Sequence, residues 1–238
     1  MPNIRIVAIF AVIIIVAAAG LAWPFLSNVK PIFLAPVQAS QWHMGKGSEY
    51  SPEMIYHVSF NNTNLSTEQV SFNNTNFTSD LKFLPIQGGN QSLLVTINPI
   101  DGSKKISQTV PIGLVYDFVD VSSDAKPYFD VLDQTLFSMR DYATDEKYLA
   151  KDAEWGDLYI GANHEKLKVT DSGKMSFEFG SANAYLLSYR IGAHINKIWI
   201  VDNLPLPVKA EIYDPDGNLQ YTFELSSLNA PSTPGLTP

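Results

Sequence analysis

Cysteine is absent from this chain of 238 residues, and its absence removes several kinds of site at once. Without thiols there is no disulfide framework, thiolate zinc site, iron–sulfur cluster or cysteine nucleophile. Charge is sparse as well: charged residues are 17% of the chain, and 24 acidic against 16 basic residues give a net charge of −8. Binding to nucleic acid needs a surplus of lysine and arginine. The composition therefore argues against nucleic acid, and against attraction to an anionic membrane surface.

Hydrophobic residues are plentiful at 45%, and they are concentrated at the N-terminus. The run from Ile6 to Leu26 holds no charged residue before Ser27 ends it. A helix needs about 20 apolar residues to cross the hydrocarbon layer, so residues 1–26 are predicted to be a transmembrane anchor. Arg5 precedes the run and no comparable basic cluster follows it, which places the N-terminus in the cytoplasm and the remaining chain on the extracytoplasmic face.

A cleaved signal peptide is the alternative interpretation of the same segment. Ala17, Ala18 and Ala19 form a small-residue cleavage site before Gly20. The apolar run continues past that site to Trp23, which is placed where an aromatic residue meets the membrane interface. This continuation favours retention over secretion. Both interpretations export the rest of the chain.

Five Asn-x-Ser/Thr motifs favour an exported, glycan-bearing surface. The candidate acceptors are Asn61, Asn64, Asn73, Asn76 and Asn90. Four of them come from a repeated unit, Val58–Asn64 and Val70–Asn76, which also fits a duplicated strand and turn because large apolar residues alternate before an Asn-rich break. Asn-rich loops also generate such triplets by chance, so glycosylation stays an open prediction.

The remaining chain reads as a stalk, one folded domain and a tail. Residues 27–50 contain prolines and little periodicity and are predicted to be a juxtamembrane stalk. Residues 51–226 are predicted to form the exported domain, and the proline-rich residues 227–238 a disordered tail. Period-2 runs separated by turn residues predict the following strands: 93–97, 105–112, 114–121, 158–160, 166–169, 174–179, 184–191, 197–201, 208–213 and 219–225.

One segment between these strands has helical spacing. Phe129, Leu132, Leu136, Met139 and Ala143 follow steps of three and four, which predicts an amphipathic helix over residues 126–143 with Pro127 near its first turn; residues 144–146 are a possible start of a second helix. The predicted fold is therefore α+β and β-rich: an antiparallel sheet or incomplete β-barrel with one main helical insertion, preceded by an N-terminal transmembrane helix.

The negative charge is confined to one part of the chain. Between Asp117 and Asp157 there are 11 acidic and 4 basic residues, a balance of −7. Such a segment can bind a divalent cation or a cationic partner, or it can simply be the solvated face of the helix and its flanks. The solvated face is the favoured interpretation because charge runs commonly have that role.

Motifs for catalysis are incomplete. His164-Glu165 begins like a zinc-protease helix, but Lys168 occupies the position of the second histidine. Residues 45–48 lack the upstream glycine of a phosphate loop, and residues 214–218 read as a hairpin turn rather than a calcium loop. No nucleophile elbow or dinucleotide fingerprint occurs. We therefore predict a non-enzymatic protein without a cofactor; an exported hydrolase, requiring a positioned nucleophile and base, remains an alternative.

A soft-metal site is a further alternative. His43, Met44, Met54 and His57 together offer imidazole and thioether ligands, which suit copper. In an undistorted strand, however, Met54 and His57 point to opposite faces because their positions differ in parity. Met54 is thus expected in the core and His57 at a partly exposed position of the sheet.

The C-terminal strands resemble a known family. The residues that carry the similarity are the stretch Ile198-Trp199-Ile200-Val201-Asp202, the turn Leu204-Pro205-Leu206-Pro207 and the paired runs 208–213 and 219–225. The region is similar to the closing strands of LolA-type lipoprotein carriers and their LppX-like relatives. The similarity spans residues 196–225. It implies an incomplete β-barrel with a concave apolar face that accepts acyl chains beneath a helical lid, which residues 126–143 are placed to supply.

These features lead to one main functional prediction and one competing class. The main prediction is a single-pass, membrane-anchored, non-enzymatic extracytoplasmic protein that binds an apolar or lipid-like ligand or another envelope protein. The competing class is a structural or assembly subunit of a membrane complex, or a glycosylated surface protein, with no ligand cavity. A hydrophobic concavity under the helix favours the first, and a filled core favours the second.

Overall fold

The structure, a computed structural model, describes residues 39–61, 75–113, 116–160 and 163–230. Twelve strands and two α-helices are defined there. The strands are β1 (Gln41–Trp42), β2 (Glu53–Phe60), β3 (Thr75–Phe83), β4 (Gln91–Pro99), β5 (Ile106–Ile112), β6 (Lys147–Tyr148), β7 (Glu154–Ile160), β8 (Asn163–Phe177), β9 (Gly180–Ile191), β10 (His194–Val201), β11 (Lys209–Tyr213) and β12 (Leu219–Asn229). The helices are α1 (Lys126–Gln134) and α2 (Arg140–Ala143).

Ten of the strands form one antiparallel sheet in the order β5-β4-β3-β2-β12-β11-β10-β9-β8-β7. The sheet stays open, with β5 and β7 at its two edges, and β1 pairs separately with β6. The predicted α+β, β-rich fold is confirmed, and of the two predicted forms, antiparallel sheet or incomplete β-barrel, the structure has an open antiparallel sheet. The transmembrane helix that was predicted before it lies outside the described residues.

The sheet has one buried face because apolar residues alternate along its strands. On β2, Met54, Tyr56, Val58 and Phe60 are buried while the residues between them are not. In a strand, successive side chains point to opposite faces. We call the buried side the inner face and the opposite side the outer face of the sheet.

Four segments cover the inner face: α1, α2, residues 39–50 and residues 202–208. On α1, Phe129, Val131 and Leu132 are buried and join one apolar core with the strands. The loop at 202–208 is tied down by Tyr56, whose hydroxyl donates a hydrogen bond to the Pro207 carbonyl at 2.9 Å. The core therefore lies between one face of the sheet and this mixed cover.

Residues 39–50, which the sequence pattern assigns to a stalk, belong to the folded unit. This compact unit begins at Ala39. Trp42 is completely buried, stacks on Trp155 with 5.7 Å between ring centroids, and donates its indole N–H to the Leu204 carbonyl at 2.7 Å. At the other end, β12 continues to Asn229, so residues 227–229 are strand rather than tail.

The helical insertion is shorter than the periodicity predicts. A helix over residues 126–143 is confirmed for Lys126–Gln134, with Pro127 in its first turn. It ends at Thr135, whose hydroxyl donates back to the Val131 carbonyl at 2.7 Å, and Phe137 N–H bonds the Leu132 carbonyl five residues back. Turns follow until α2 begins at Arg140. Residues 144–146 lead into β6 and do not start another helix.

The predicted strand at 114–121 is absent from the described part of that range. Residues 116–121 are irregular, with one isolated bridge between Phe118 and Ile112. Tyr116 and Asp120 have left-handed backbone angles, φ 58° and 60°, which interrupt an extended chain. This irregular segment forms one wall of the site described below.

Candidate functional site

A surface cleft of about 370 Å³ opens between α1 and the irregular segment 116–121. We call it the helix cleft. It is lined by Asp117, Phe118, Val121, Lys126, Phe129, Asp130, Asp133 and Arg140. All of these residues come from the acidic segment that the sequence singles out. The cleft combines an apolar floor with a charged rim.

Aromatic packing fixes the floor of the helix cleft. The Phe118 ring meets Phe129 edge to face at 4.9 Å between centroids, and meets Phe137 in the same way at 4.7 Å. Edge-to-face contacts of this kind hold aromatic rings in defined orientations. Phe118 thereby attaches the irregular segment to the core beneath α1.

Hydrogen bonds from the edge strand hold the irregular wall. The Gln108 side-chain amide on β5 donates to the Asp120 carbonyl at 2.8 Å and accepts from the Ser122 N–H at 3.1 Å. Gly113 N–H donates to the Asp117 carbonyl at 3.2 Å. A Cβ on Gly113 would lie only 2.0 Å from the Asp117 carboxylate oxygen Oδ1. Glycine at 113 therefore allows the Asp117 side chain to lie against the main chain.

Both cations of the helix cleft are already neutralised by neighbouring carboxylates. Arg140 donates from both Nη atoms to Asp133, one of these bonds measuring 2.8 Å. Hydrogen bonding to Asp133 raises the pKa of the Arg140 guanidinium. Lys126 Nζ donates to both oxygens of Asp130, at 2.7 and 3.1 Å, one helical turn along α1. These pairs leave no cation in the cleft free.

Asp117 is the carboxylate left over. Its charge helps to raise the pKa of Arg140, but among the described residues no hydrogen bond or ion pair reaches its side chain, which is solvent-exposed at the rim of the cleft. The helix cleft therefore has an excess negative charge beside an aromatic floor. Chemically, this arrangement suits a group with a positive end and an apolar stem.

A second depression of about 340 Å³ lies on the outer face of the sheet. We call it the sheet groove; its lining includes His57, Glu178, Lys209, Glu211 and Glu224. Lys209 Nζ bonds Glu224 at 2.7 Å and lies 3.8 Å from Glu211, and His57 Nδ1 lies 3.2 Å from Glu178. The carboxylates of this groove, unlike Asp117, each have a partner.

The space beneath α1 is occupied by side chains. Phe77, Leu81, Leu132 and Phe137 have no exposed surface, and the helix cleft and the sheet groove both open at the surface of the protein. The predicted lid thus rests on a filled core. Interiors packed in this way leave no room for an acyl chain.

A group of tyrosines sits half-buried at the side of this core. The Tyr221 hydroxyl lies 3.4 Å from Ser138 Oγ, and burial raises its pKa to about 12. Burial also raises the pKa of Tyr189 far above its ordinary value, with Tyr221 and Tyr142 as neighbours. Asn196 on β10 lies opposite Tyr189 on β9. It is fully buried, and its Nδ2 has no hydrogen-bond partner within the described ranges.

Three of the five predicted glycosylation sites lie within the described residues. Asn76 is exposed on β3 and lines the sheet groove, Asn90 is exposed in the β3–β4 turn, and Asn61 follows β2. Asn64 and Asn73 lie outside the described ranges, as does most of the second repeat copy. Glycosylation remains a prediction at all five positions.

The structure does not bring the copper ligands together. Met54 is buried on the inner face, whereas His57 is exposed on the outer face and pairs with Glu178. Met44 is buried in the core, and the His43 ring N–H donates to the Met44 carbonyl. The positions predicted for Met54 and His57 are confirmed. Within the ranges that the structure describes, no group of three His, Asp or Glu side chains is placed to hold a metal.

The other near-motifs have structural roles. Lys46, within the glycine-rich stretch at 45–48, pairs with Asp202. Asp214 closes the predicted hairpin turn by accepting the Asn218 N–H at 2.8 Å. His164 Nε2 lies 2.8 Å from Asp157 on the exposed β7–β8 pair. Each near-motif thus has a structural contact within the fold.

No helix in the described residues has the length and apolar content that crossing a membrane requires. The predicted anchor, residues 1–26, lies outside those residues.

The sequence drew attention to the acidic segment but not to the cleft within it. The cleft joins a loop and a helix whose contacts depend on the tertiary fold. The available signal was phenylalanine at 118, 129 and 137 within a stretch rich in aspartate.

Comparison with known proteins gives remote structural matches alone. No family model matches the chain, and no curated protein matches it. The structure of MucB matches 79% of this chain with 11% sequence identity and a TM-score of 0.42. The structure of MucB in complex with MucA(peri) matches 82% of this chain with 12% sequence identity and a TM-score of 0.40. This chain spans only 56% of the length of either MucB chain. A Bacteroides fragilis protein with a YmcC-like fold has 11% identity and a TM-score of 0.35, over 80% of this chain and 99% of its own. Such scores are too low to transfer a partner or ligand.

Proposed function

We propose that this chain is a non-enzymatic, extracytoplasmic binding protein, held to the membrane by residues 1–26, whose folded unit recognises an envelope protein partner at the helix cleft. The observation that carries the proposal is the contrast between a filled inner face and an open cleft with a spare carboxylate. Binding by a protein of this form takes place at its surface, because its interior is already occupied by its own side chains.

The anchor in this proposal rests on the apolar run Ile6–Leu26 and on Arg5 before it. Twelve residues, 27–38, then separate the run from the first residue of the folded unit. Mass spectrometry of the mature N-terminus tests the anchor. We expect a chain that retains its first residues; a mature N-terminus at Gly20 would mean secretion instead.

A protein partner accounts for the helix cleft better than a small apolar ligand does. The floor presents Phe118 and Val121, backed by the buried Phe129, but charged side chains border it on every element that lines it. Interfaces between proteins combine an apolar centre with a polar rim in this manner. A cleft near the lower end of the 300–1,000 Å³ range of ligand sites suits one or two anchoring side chains of a larger surface.

A lipid-like ligand is the second candidate, and one observation favours it. Tyr142, Tyr189 and Tyr221 are half-buried beside the core, where they combine aromatic rings with hydroxyl groups, as a lipid-like ligand requires. The similarity of residues 196–225 to lipoprotein carriers agrees with this candidate. Native mass spectrometry of the purified protein, before and after one detergent is exchanged for another, tests this candidate. One lipid molecule retained per chain after the exchange supports it, and loss of all bound lipid counts against it.

Photo-crosslinking tests the partner proposal in the intact envelope. A photo-reactive residue replaces Lys126, which is exposed at the rim of the helix cleft, in the full-length chain. The matched control replaces Lys174, an exposed lysine on β8 that lines neither depression. We expect a discrete protein adduct from position 126 and not from 174. Equal adducts at both positions, or none at 126, would refute partner binding at this cleft.

A further inference from the structure

The charge balance of the helix cleft indicates the chemistry of what it binds. Arg140 is engaged by Asp133 and Lys126 by Asp130, so neither cation is available to an anionic ligand without breaking an existing pair. Asp117 contributes to the raised pKa of Arg140 through its charge, but among the described residues it has no hydrogen-bonded or ion-paired partner of its own. A cationic ligand gains an ion pair with Asp117 and breaks none.

The floor of the cleft adds a second requirement. Phe118, held edge to face by the buried Phe129, presents partly exposed aromatic surface next to Asp117 and Val121. Aromatic faces attract cations, and arginine in particular stacks its planar guanidinium on them. The methylene stem of a basic side chain packs on the apolar part of such a floor while its head reaches a carboxylate.

The surroundings also favour a basic partner. The segment Asp117–Asp157 has a net charge of −7, which leaves −1 for the rest of the chain. A concentrated field of one sign steers oppositely charged surfaces toward it and speeds their association. Charge complementarity at long range and an unpaired carboxylate at short range therefore agree.

We infer that the helix cleft is the docking point for a basic side chain, arginine or lysine, of a protein partner, with the guanidinium or ammonium on Asp117 and its stem on Phe118 and Val121. This inference rests on the proposed function and specifies the chemistry of its partner. Because a single carboxylate makes the ion pair, the docked residue is an anchor within a larger interface.

Peptide titration followed by NMR on the intact protein tests the inference. The probe is acetyl-Gly-Arg-Gly-amide, and the matched control peptide contains citrulline, which keeps the shape of arginine without its charge. We expect weak, roughly millimolar binding of the arginine peptide, with shifts at Phe118, Val121 and Phe129, and none with citrulline. Equal shifts with both peptides would overturn the inference.

Two variants locate the binding. Asp117→Asn should lower the affinity about fivefold or more, since it removes the charge that assists the hydrogen bond. Glu146→Gln removes the same charge from an exposed position of the acidic segment outside the cleft, and should change the affinity less than about twofold at 0.15 M salt because exposed charges are screened. Equal losses in both variants would show binding to the general field and would refute a site at Asp117.

A third variant separates this inference from the proposed function. Val121→Lys places an ammonium of the chain itself in the cleft and should abolish peptide binding. If adducts form at position 126 but the arginine peptide fails to bind, the partner proposal stands and the basic-anchor inference falls. If adducts at 126 are absent while the peptide binds as expected, the anchor chemistry stands and the envelope-partner proposal falls.

Discussion

The two faces of the sheet differ in what they contribute, and neighbouring residues of β4 show it. Leu93 is fully buried on the inner face, where it lies across from Phe83 and Val110. Leu94, the next residue, points outward and is only half-buried. The inner face is a continuous apolar core, whereas the outer face holds ion pairs around Lys209. The comparison teaches that stability resides on one side of the sheet and that the other tolerates polar chemistry.

The largest expected effect is a loss of stability at the inner face. Leu93→Ala should lower the free energy of unfolding by about 2–5 kcal/mol, because it removes buried surface and leaves a cavity. Leu94→Ala removes the same atoms from the outer face and should cost less than about 1 kcal/mol. Urea unfolding of both variants measures the difference. Equal losses would contradict the assignment of the two faces.

The cover of the inner face should be nearly as sensitive at Gly45. A Cβ added to Gly45 would lie 1.4 Å from the Tyr116 hydroxyl oxygen and overlap it, whereas a Cβ added to Gly89 would have no atom within 4 Å. The two glycines have similar left-handed φ angles, 89° at Gly45 and 85° at Gly89. Backbone strain of about 1–2 kcal/mol is thus common to both alanine substitutions. Gly45→Ala should cost at least about 1 kcal/mol more.

A double-mutant cycle checks that the Gly45 effect arises from this contact. In a Tyr116→Ala background the extra cost of Gly45→Ala should disappear, because the overlapping ring is gone. Persistence of the full cost in that background would place its origin elsewhere.

A smaller effect is expected at alkaline pH from the half-buried tyrosines of the inner face. The pKa of Tyr221 is raised to about 12 in the folded chain, above the value of about 10 for an unfolded tyrosine. Its contribution is fully present below pH 10 and is lost as the pH rises toward 12, because the unfolded state releases the proton first. Tyr221→Phe should therefore flatten the decline in unfolding free energy between pH 10 and 12.

The control for Tyr221→Phe is the same comparison at pH 7, where both states keep the phenolic proton. Any difference there reports the lost contact with Ser138 and is subtracted. An unchanged alkaline slope in the variant would contradict the raised pKa.

The smallest effect is expected at the outer face. Lys209→Met removes ion pairs with Glu224 and Glu211, in which the side chains stay 23–32% exposed. Pairs of this kind contribute about 0–1 kcal/mol, and salt should reduce the difference further. Thermal unfolding at 0.05 and 0.5 M NaCl measures it. A loss above 2 kcal/mol would mean that the outer face is part of the core.

Strand and turn chemistry made much of the fold predictable from the sequence. The β4–β5 hairpin follows from Leu93–Ile97, the Asp101-Gly102 turn and residues 105–112, because alternation and turn residues are local signals. The meander from β9 to β12 follows for the same reason. The break after Gln134 could not be predicted, since Leu136 and Met139 continue the helical spacing through residues 135–139, where the chain instead forms turns.

The candidate site was only partly visible in the sequence. The excess of acidic residues identified the segment that contains the cleft. The sequence does not distinguish Asp117 from Asp130 and Asp133, because only the fold pairs Asp130 with Lys126 and Asp133 with Arg140. The unpaired state of Asp117 depends on Gly113 and on the irregular chain at 116–121. Contacts of that kind are set by tertiary structure, which periodicity does not encode.

The most direct test of the central claim asks where lipid meets the chain in the living membrane. Cells expressing the full-length protein are fed a photo-reactive, clickable fatty acid, irradiated, and the labelled peptides are mapped by mass spectrometry. A filled inner face and a membrane anchor predict adducts confined to residues 1–26. Reproducible adducts at Tyr189 or Tyr221 would contradict the claim and show that the core opens to take up lipid.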